Sequence, residues 1–184
     1  MNTLRWIVLA VGTIAWFAPF PIYYTRGAAG PLTKDYSARW GIALECIAYG
    51  LLWQGHFWLH TPAPWRLALS IVLFVLASVT SLTASIALGR YLRVDAALDT
   101  EHELIRSGPY RWVRNPVYTS MLCVHIATAL LITPLWLFVL ALTVFLTGTS
   151  IRIRAEERLL ASRFGDQFTQ YRRSTSRLIP FVRL

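Results

Sequence analysis

Apolar residues fall in five long runs separated by polar intervals, at about residues 4–20, 40–59, 65–88, 117–132 and 135–151. A helix crossing a bilayer needs about 20 such residues. None of the runs shows the polar stripe that a soluble helix presents to water. The pattern predicts an all-α, polytopic membrane protein with about five transmembrane helices. Pro19 and Pro21 are expected to end the first helix, Pro62 and Pro64 mark the turn before the third, and Thr133-Pro134 makes a tight reversal before the fifth. The first run is read as a span rather than a signal peptide, because Trp16, Pro19 and Pro21 stand where a small-residue cleavage site would fall. Beyond the fifth run, Leu159, Leu160, Phe164, Phe168 and Tyr171 recur at three- and four-residue spacing. They predict a continuing helix with one apolar stripe, capped or kinked at Gly165. No internal repeat is visible, so residues 1–184 read as a single integral-membrane domain, with three spans over 1–89 and a second, motif-bearing half over 90–184.

Composition sharpens this picture. The chain has 184 residues, 55% of them hydrophobic and only 15% charged, below the usual charged share of a soluble domain. A net charge of +9 would in a soluble protein point to nucleic acid. Here the bias of Lys and Arg toward cytoplasmic loops accounts for it. Of the eighteen Lys and Arg residues, all but Arg5 and Arg66 fall in the loop after the first run, the loop after the third and the C-terminal tail. Five spans place these three segments on one side. The expected topology is therefore N-terminus outside and C-terminus cytoplasmic, in a multi-pass protein of the bacterial inner membrane, with no nucleic-acid partner. The hairpin of the fourth and fifth spans is expected to bring the polar stretches 101–118 and 152–171 side by side. Cys46 and Cys123 lie inside apolar runs and indicate neither a disulfide nor a metal framework.

Those two polar stretches carry the candidate chemistry. Arg152 and Glu156 are four apart and can face each other on a helix. Alternatively, the adjacent carboxylates Glu156 and Glu157 offer an anionic partner to a cationic ligand in a poorly solvated place. Pro116 suits the first turn of a helix with Asn115 as its cap. A plain helix entry leaves His102, Tyr110, Trp112 and Tyr118 in the same segment unexplained. Glu45 lies about one turn into the second run, and intramembrane acids are candidates for function. His56 and His60, with Trp53, Phe57 and Trp58, read as an interfacial belt rather than a metal site. His125 is expected to be a hydrogen-bonded core residue. No Gly-x-Gly occurs, which excludes a Rossmann dinucleotide fingerprint.

The run His102-x-Leu104-Ile105-x-x-Gly108-Pro109-Tyr110-x-x-x-Arg114-Asn115-Pro116-x-Tyr118 resembles the signature of the isoprenylcysteine carboxyl methyltransferase and phospholipid methyltransferase group. Arg152-x-x-x-Glu156-Glu157-x-x-Leu160, Phe164-Gly165, Tyr171 and Arg177-Leu178-Ile179-Pro180 extend the likeness, which covers roughly half the chain. The resemblance implies an integral-membrane methyltransferase using S-adenosyl-L-methionine, with the cofactor in a cytoplasmic pocket roofed by the tail. It implies a lipid or lipidated acceptor reaching the site from the bilayer: a prenylcysteine carboxylate, a phospholipid amine or a small thiol. By position, His102, Leu104, Ile105, Gly108, Tyr110, Pro116, Tyr118, Glu156 and Glu157 would surround the cofactor. Arg114, Asn115, Arg152 and Glu157 would serve the reaction, the two arginines orienting a carboxylate or acceptor head. Many members have His where this chain has Asn115, and Asn cannot act as a base near neutral pH, so positioning is the role expected there. Two other readings are an NADPH-dependent membrane reductase of the sterol reductase type and a non-enzymatic membrane subunit or transporter. Retention of the Gly-Pro-Tyr loop and both carboxylates speaks against the second.

Overall fold

The computed structural model describes residues 2–24, 33–56, 59–93, 95–98, 103–180 and 182. Arg26, Gly27, Gly30 and Pro31 of the first loop, the belt residues Phe57 and Trp58, and the cofactor candidate His102 lie outside them. The chain is helical almost throughout: α1 Asn2–Phe17, α2 Pro19–Tyr24, α3 Ala38–Leu51, α4 Pro64–Leu88, α5 Pro116–Ile132, α6 Leu135–Phe164 and α7 Asp166–Ser174. Three helical stretches, Thr3–Ile22, Pro64–Tyr91 and Leu135–Phe164, are long and apolar enough to cross a membrane, and Pro116–Ile132 is a shorter apolar helix. Ile7, Val11, Ile14, Val72, Val75, Val79, Trp136 and Val139 point outward, as side chains facing lipid would. The protein is an all-α integral membrane protein.

Two boundaries differ from those expected. α1 ends at Phe17, directly before Pro19 as the prolines predict, but after a break at Ala18 Pro19 opens a second short helix that carries the apolar stretch on to Ile22. Proline is tolerated in a first turn, where its missing N–H would be unpaired anyway. The second span is shorter than its apolar run. α3 has 14 residues, about 21 Å at 1.5 Å per residue, and the chain turns from Leu52 onward instead of staying helical to residue 59. This turn packs on the α5–α6 reversal: a Cβ on Gly55 would meet Pro134 Cδ at 2.7 Å, and the Thr133 hydroxyl donates to the Leu52 carbonyl at 2.7 Å.

The helices pack as two pairs, α4 with α5 and α3 with α6, and α1 lies along α4. The expected α5–α6 hairpin is tight at its turn, but each arm packs mainly on another helix. At the α3–α6 crossing, glycines let the backbones approach. A Cβ on Gly148 would lie 2.7 Å from the Gly41 carbonyl oxygen and 2.9 Å from Leu44 Cβ. Gly148→Ala is expected to force the helices apart and destabilise by about 1–3 kcal/mol, measured by thermal unfolding in detergent; an unchanged melting temperature would contradict so close a contact.

Between the two pairs sits an aromatic cluster of Tyr49, His125, Phe138 and Phe145, with His125 stacked on Phe145 at 4.7 Å. His125 is fully buried, as expected of a core residue, but neither ring nitrogen has a hydrogen-bond partner. The nearby Tyr49 hydroxyl donates instead to the Met121 carbonyl at 2.9 Å. An unmet buried polar group is costly, so His125→Leu is expected to raise stability by about 1 kcal/mol; a lower melting temperature would refute this.

The two ends of the bundle differ in chemistry. At one, Arg5 donates to the His60 carbonyl at 2.7 Å, Arg66 donates to the Thr133 carbonyl at 3.1 Å, and Trp6 stacks on Trp53. At the other, the loop after α2, the loop after α4 and the tail come together. Thr33–Lys34 (β1) pairs antiparallel with Ala97–Leu98 (β2), Lys34 bridges Asp95 at 3.2 Å, and Arg158 bridges Asp35 at 2.9 Å. A 2.6 Å hydrogen bond from the Ser37 hydroxyl and the nearby Arg158 guanidinium hold the Asp35 carboxyl below its ordinary pKa.

Candidate active site

The polar end is built around the entry to α5. Gly108–Arg111 forms a single 3-10 turn. Gly108 opens it at φ +58°, where a Cβ would be strained. Pro116 then occupies the first turn of α5. Asn115 sits at the cap position, but its side chain does not cap the helix. Its amide donates to the Arg177 carbonyl at 3.0 Å and reaches Glu157 Oε1 at 3.4 Å.

The tail closes over this entry, because α6 stops at Gly165 (φ +49°) and α7 folds back. The Tyr171 hydroxyl donates to the Tyr110 carbonyl at 2.7 Å. Arg114 donates through its side chain to the Thr175 carbonyl at 2.8 Å and through its backbone to Ser176 at 2.9 Å. The Ser176 amide returns a bond to Trp112 at 3.2 Å, and the Thr119 hydroxyl donates to Leu178 at 2.6 Å. The tail therefore acts as a clamp, and from Thr175 to Leu178 its backbone makes these contacts.

Beneath the clamp lies a cavity of about 130 Å³ over the described residues. Its walls come from the segment after α4 (Leu88, Tyr91, Leu92, Arg93, Asp95, Ala97, Leu98), the α5 entry (Tyr110, Arg114, Asn115, Val117, Tyr118) and α6 (Arg152, Glu156, Leu159, Leu160). The two adjacent carboxylates have different partners. Glu157 accepts from Arg114 Nε at 2.6 Å and helps fasten the loop. Glu156 lines the cavity and accepts from the Tyr118 hydroxyl. Arg152 is spaced to face Glu156 on α6 and also reaches a carboxylate on α3. It donates to Glu45 of α3 at 2.6 Å, whose other oxygen accepts from Thr149 at 2.9 Å. The Arg152 guanidinium also lies 4.9 Å from the centre of the Tyr118 ring, within cation–π range. Burial, with the Glu156 charge adding to it, pushes the Tyr110 phenol well above its ordinary pKa, so it stays protonated at neutral pH.

Of the residues the resemblance points to, Tyr110, Arg114, Asn115, Tyr118, Arg152 and Glu156 meet at this cavity. Gly108 and Pro116 line a separate groove of about 380 Å³ against α4. Leu104 and Ile105 are half-buried and outside the cavity wall. Sequence reasoning missed the wall from Leu88 to Leu98. Its one signal was its position directly before the signature.

The donor set suits a methyl-donor cofactor of the expected kind. An aromatic-rimmed carboxylate suits a sulfonium cation. Leu88, Leu92, Leu159 and Leu160 suit a flat apolar base, and Arg93 and Arg114 stand where a carboxylate could bind. The described walls enclose only part of the space such a ligand needs, since binding pockets run to about 300–1,000 Å³.

Comparison with known proteins bears on this end of the molecule. Residues 65–167 match the family model described as phospholipid methyltransferase. The chain is 27% identical to the protein-S-isoprenylcysteine O-methyltransferase of Saccharomyces cerevisiae over 154 residues, 81% of this chain and 64% of that protein. It is 32% identical to the protein of the same name from Schizosaccharomyces pombe over 120 residues, 56% of this chain and 50% of that one. With the methanethiol S-methyltransferase of Mycobacterium tuberculosis it shares 33% identity over 72 residues, 39% of this chain and 28% of that protein. In each case the match spans less than two thirds of the relative's length. The family model takes in the third span, the α5 entry and both carboxylates of α6, more than half of the chain, and the protein belongs to the phospholipid methyltransferase family.

Proposed function

We propose that the protein is a methyltransferase that uses S-adenosyl-L-methionine and acts on a lipid or lipid-like acceptor held in the membrane. The observation that carries this reading is Glu156: a carboxylate in the wall of the cavity, bonded to the Tyr118 hydroxyl and set among Tyr110, Leu159 and Leu160. When bound, the cofactor would supply a methyl group activated by a sulfonium. The protein's part is to hold the reactants at near-attack distance, about 3–3.5 Å. Glu156 provides negative charge that water cannot screen well. Arg114 and Arg152 are fixed by their own carboxylates and can orient an anionic group without moving. Asn115 holds the tail by donating to the Arg177 carbonyl and does not act as a base. With Tyr110 kept protonated, the site suits an acceptor that arrives ready to attack, such as a carboxylate or thiolate.

Support for a membrane acceptor comes from the cavity's place at the polar end of the spans and from the names of the relatives. Two act on isoprenylcysteine by name, and one on methanethiol. The polar end is assigned to the cytoplasm on the Lys and Arg bias. Calorimetric titration of the detergent-purified protein tests the reading. S-adenosyl-L-methionine and S-adenosylhomocysteine should bind and NADPH should not. Binding of NADPH alone would replace this reading with a reductase.

A further inference from the structure

The backbone of residues 175–180 clamps the α5 entry, while its side chains leave a second feature unexplained. Arg177 is half-buried, and its Nε is buried without an acceptor. Burial lowers the pKa of this guanidinium, Glu157 opposes the shift, and Arg114, Arg154 and Arg172 lower it further. Arg154 lies one turn before Glu157 on α6, Arg172 stands in the last turn of α7 where the tail begins, and Arg177 follows on the segment that Arg114 and Asn115 hold. The Glu157 carboxylate is already engaged, since its Oε1 accepts from both Arg114 and Asn115. Arg154 and Arg172 are exposed and belong to none of the ion pairs among the described residues. The surplus is cationic and local.

Its surroundings indicate what neutralises it. α6 has 30 residues, about 45 Å at 1.5 Å per residue, against a hydrocarbon core of about 30 Å. Its C-terminal turns, where Arg154 lies, therefore reach the interface or stand beyond it. Ile179 and Val182 are exposed on the same tail, and Trp112 is exposed beside it with Arg111 against its ring. Exposed apolar and basic groups side by side match the headgroup–acyl boundary of a bilayer. Guanidiniums in a cluster suit a phosphate, which they can bind in bidentate fashion.

We propose that Arg154, Arg172 and Arg177 form a site for the phosphate of an anionic phospholipid, which pins residues 175–180 onto the α5 entry and so holds the clamp over the cavity. The lipid here is a structural partner and not the acceptor. The test needs no methyl donor, so its outcome is independent of the reading of the cavity. Hydrogen exchange is followed at the amides of Arg114 and Ser176, whose bonds form the clamp. The protein is placed in nanodiscs of phosphatidylcholine alone, of phosphatidylcholine with phosphatidylglycerol, and of phosphatidylcholine with added inorganic phosphate. Exchange should slow with phosphatidylglycerol only. The effect should shrink by about fivefold for each arginine removed, the scale of one basic residue at an anionic surface. Arg154→Gln and Arg172→Gln change exposed side chains, so the result does not hang on whether Arg177→Gln folds. Arg173→Gln, at the neighbouring exposed arginine of α7, is the control and should keep the full effect. Equal exchange in all discs, slowing by inorganic phosphate alone, or an equal loss with Arg173→Gln would overturn the proposal.

Discussion

Glu45→Gln should destabilise the protein by about 3–5 kcal/mol, because it removes the carboxylate paired with a buried guanidinium. The Arg152 and Glu45 side chains are only 9% and 5% exposed, and they meet at 2.6 Å. The glycine crossing of α3 and α6 leaves little room for water or for rearrangement. The loss should also reach the cavity, since Arg152 lies against the Tyr118 ring and Tyr118 donates to Glu156. Replacing both members of the pair, as Glu45→Gln with Arg152→Met, should recover most of the stability. It should not restore any activity that depends on the guanidinium. Thermal unfolding of the single and double variants decides this. A single variant as stable as the wild type, or a double variant worse than the single, would show that the pair does not carry the crossing.

Glu156→Gln should weaken binding of S-adenosyl-L-methionine by at least about tenfold, or ~1.4 kcal/mol, with little effect on folding. The substitution keeps the shape and a hydrogen-bonding partner for Tyr118 and removes only the charge. Its effect should be smaller on S-adenosylhomocysteine, which lacks the sulfonium charge. Glu157→Gln should behave differently. Its carboxylate fastens Arg114, so both ligands should be weakened alike through a loosened loop. Equal losses for both ligands with Glu156→Gln would remove the sulfonium role from that residue.

Much of the fold was legible because prolines and glycines punctuate it. Pro64 and Pro116 begin α4 and α5, and Gly165 ends α6, where local chemistry leaves little choice. α3 was harder to bound. Its apolar run continues past Leu51 without a breaker before Gly55, and apolar residues look alike in a helix and in the packed turn that follows. The signature residues around Tyr110, Arg114 and Tyr118 were legible as a group because they share one short segment. Their partners were not. Glu45 is 107 positions from Arg152, and only packing could show that the two meet. The same holds for Glu156 and Glu157. Adjacent residues on a helix point about 100° apart, so one faces the cavity and the other the loop, and sequence gives no sign of which.

The central claim is that this membrane protein transfers methyl groups at the Glu156 cavity. Its most direct test is to supply S-adenosyl-L-methionine with a labelled methyl group to reconstituted protein in lipid extract and follow label into the lipid-extractable fraction. Label should appear there with the wild type and be largely lost with Glu156→Gln. No transfer by folded wild-type protein that binds the donor, or transfer indifferent to Glu156→Gln, would contradict it.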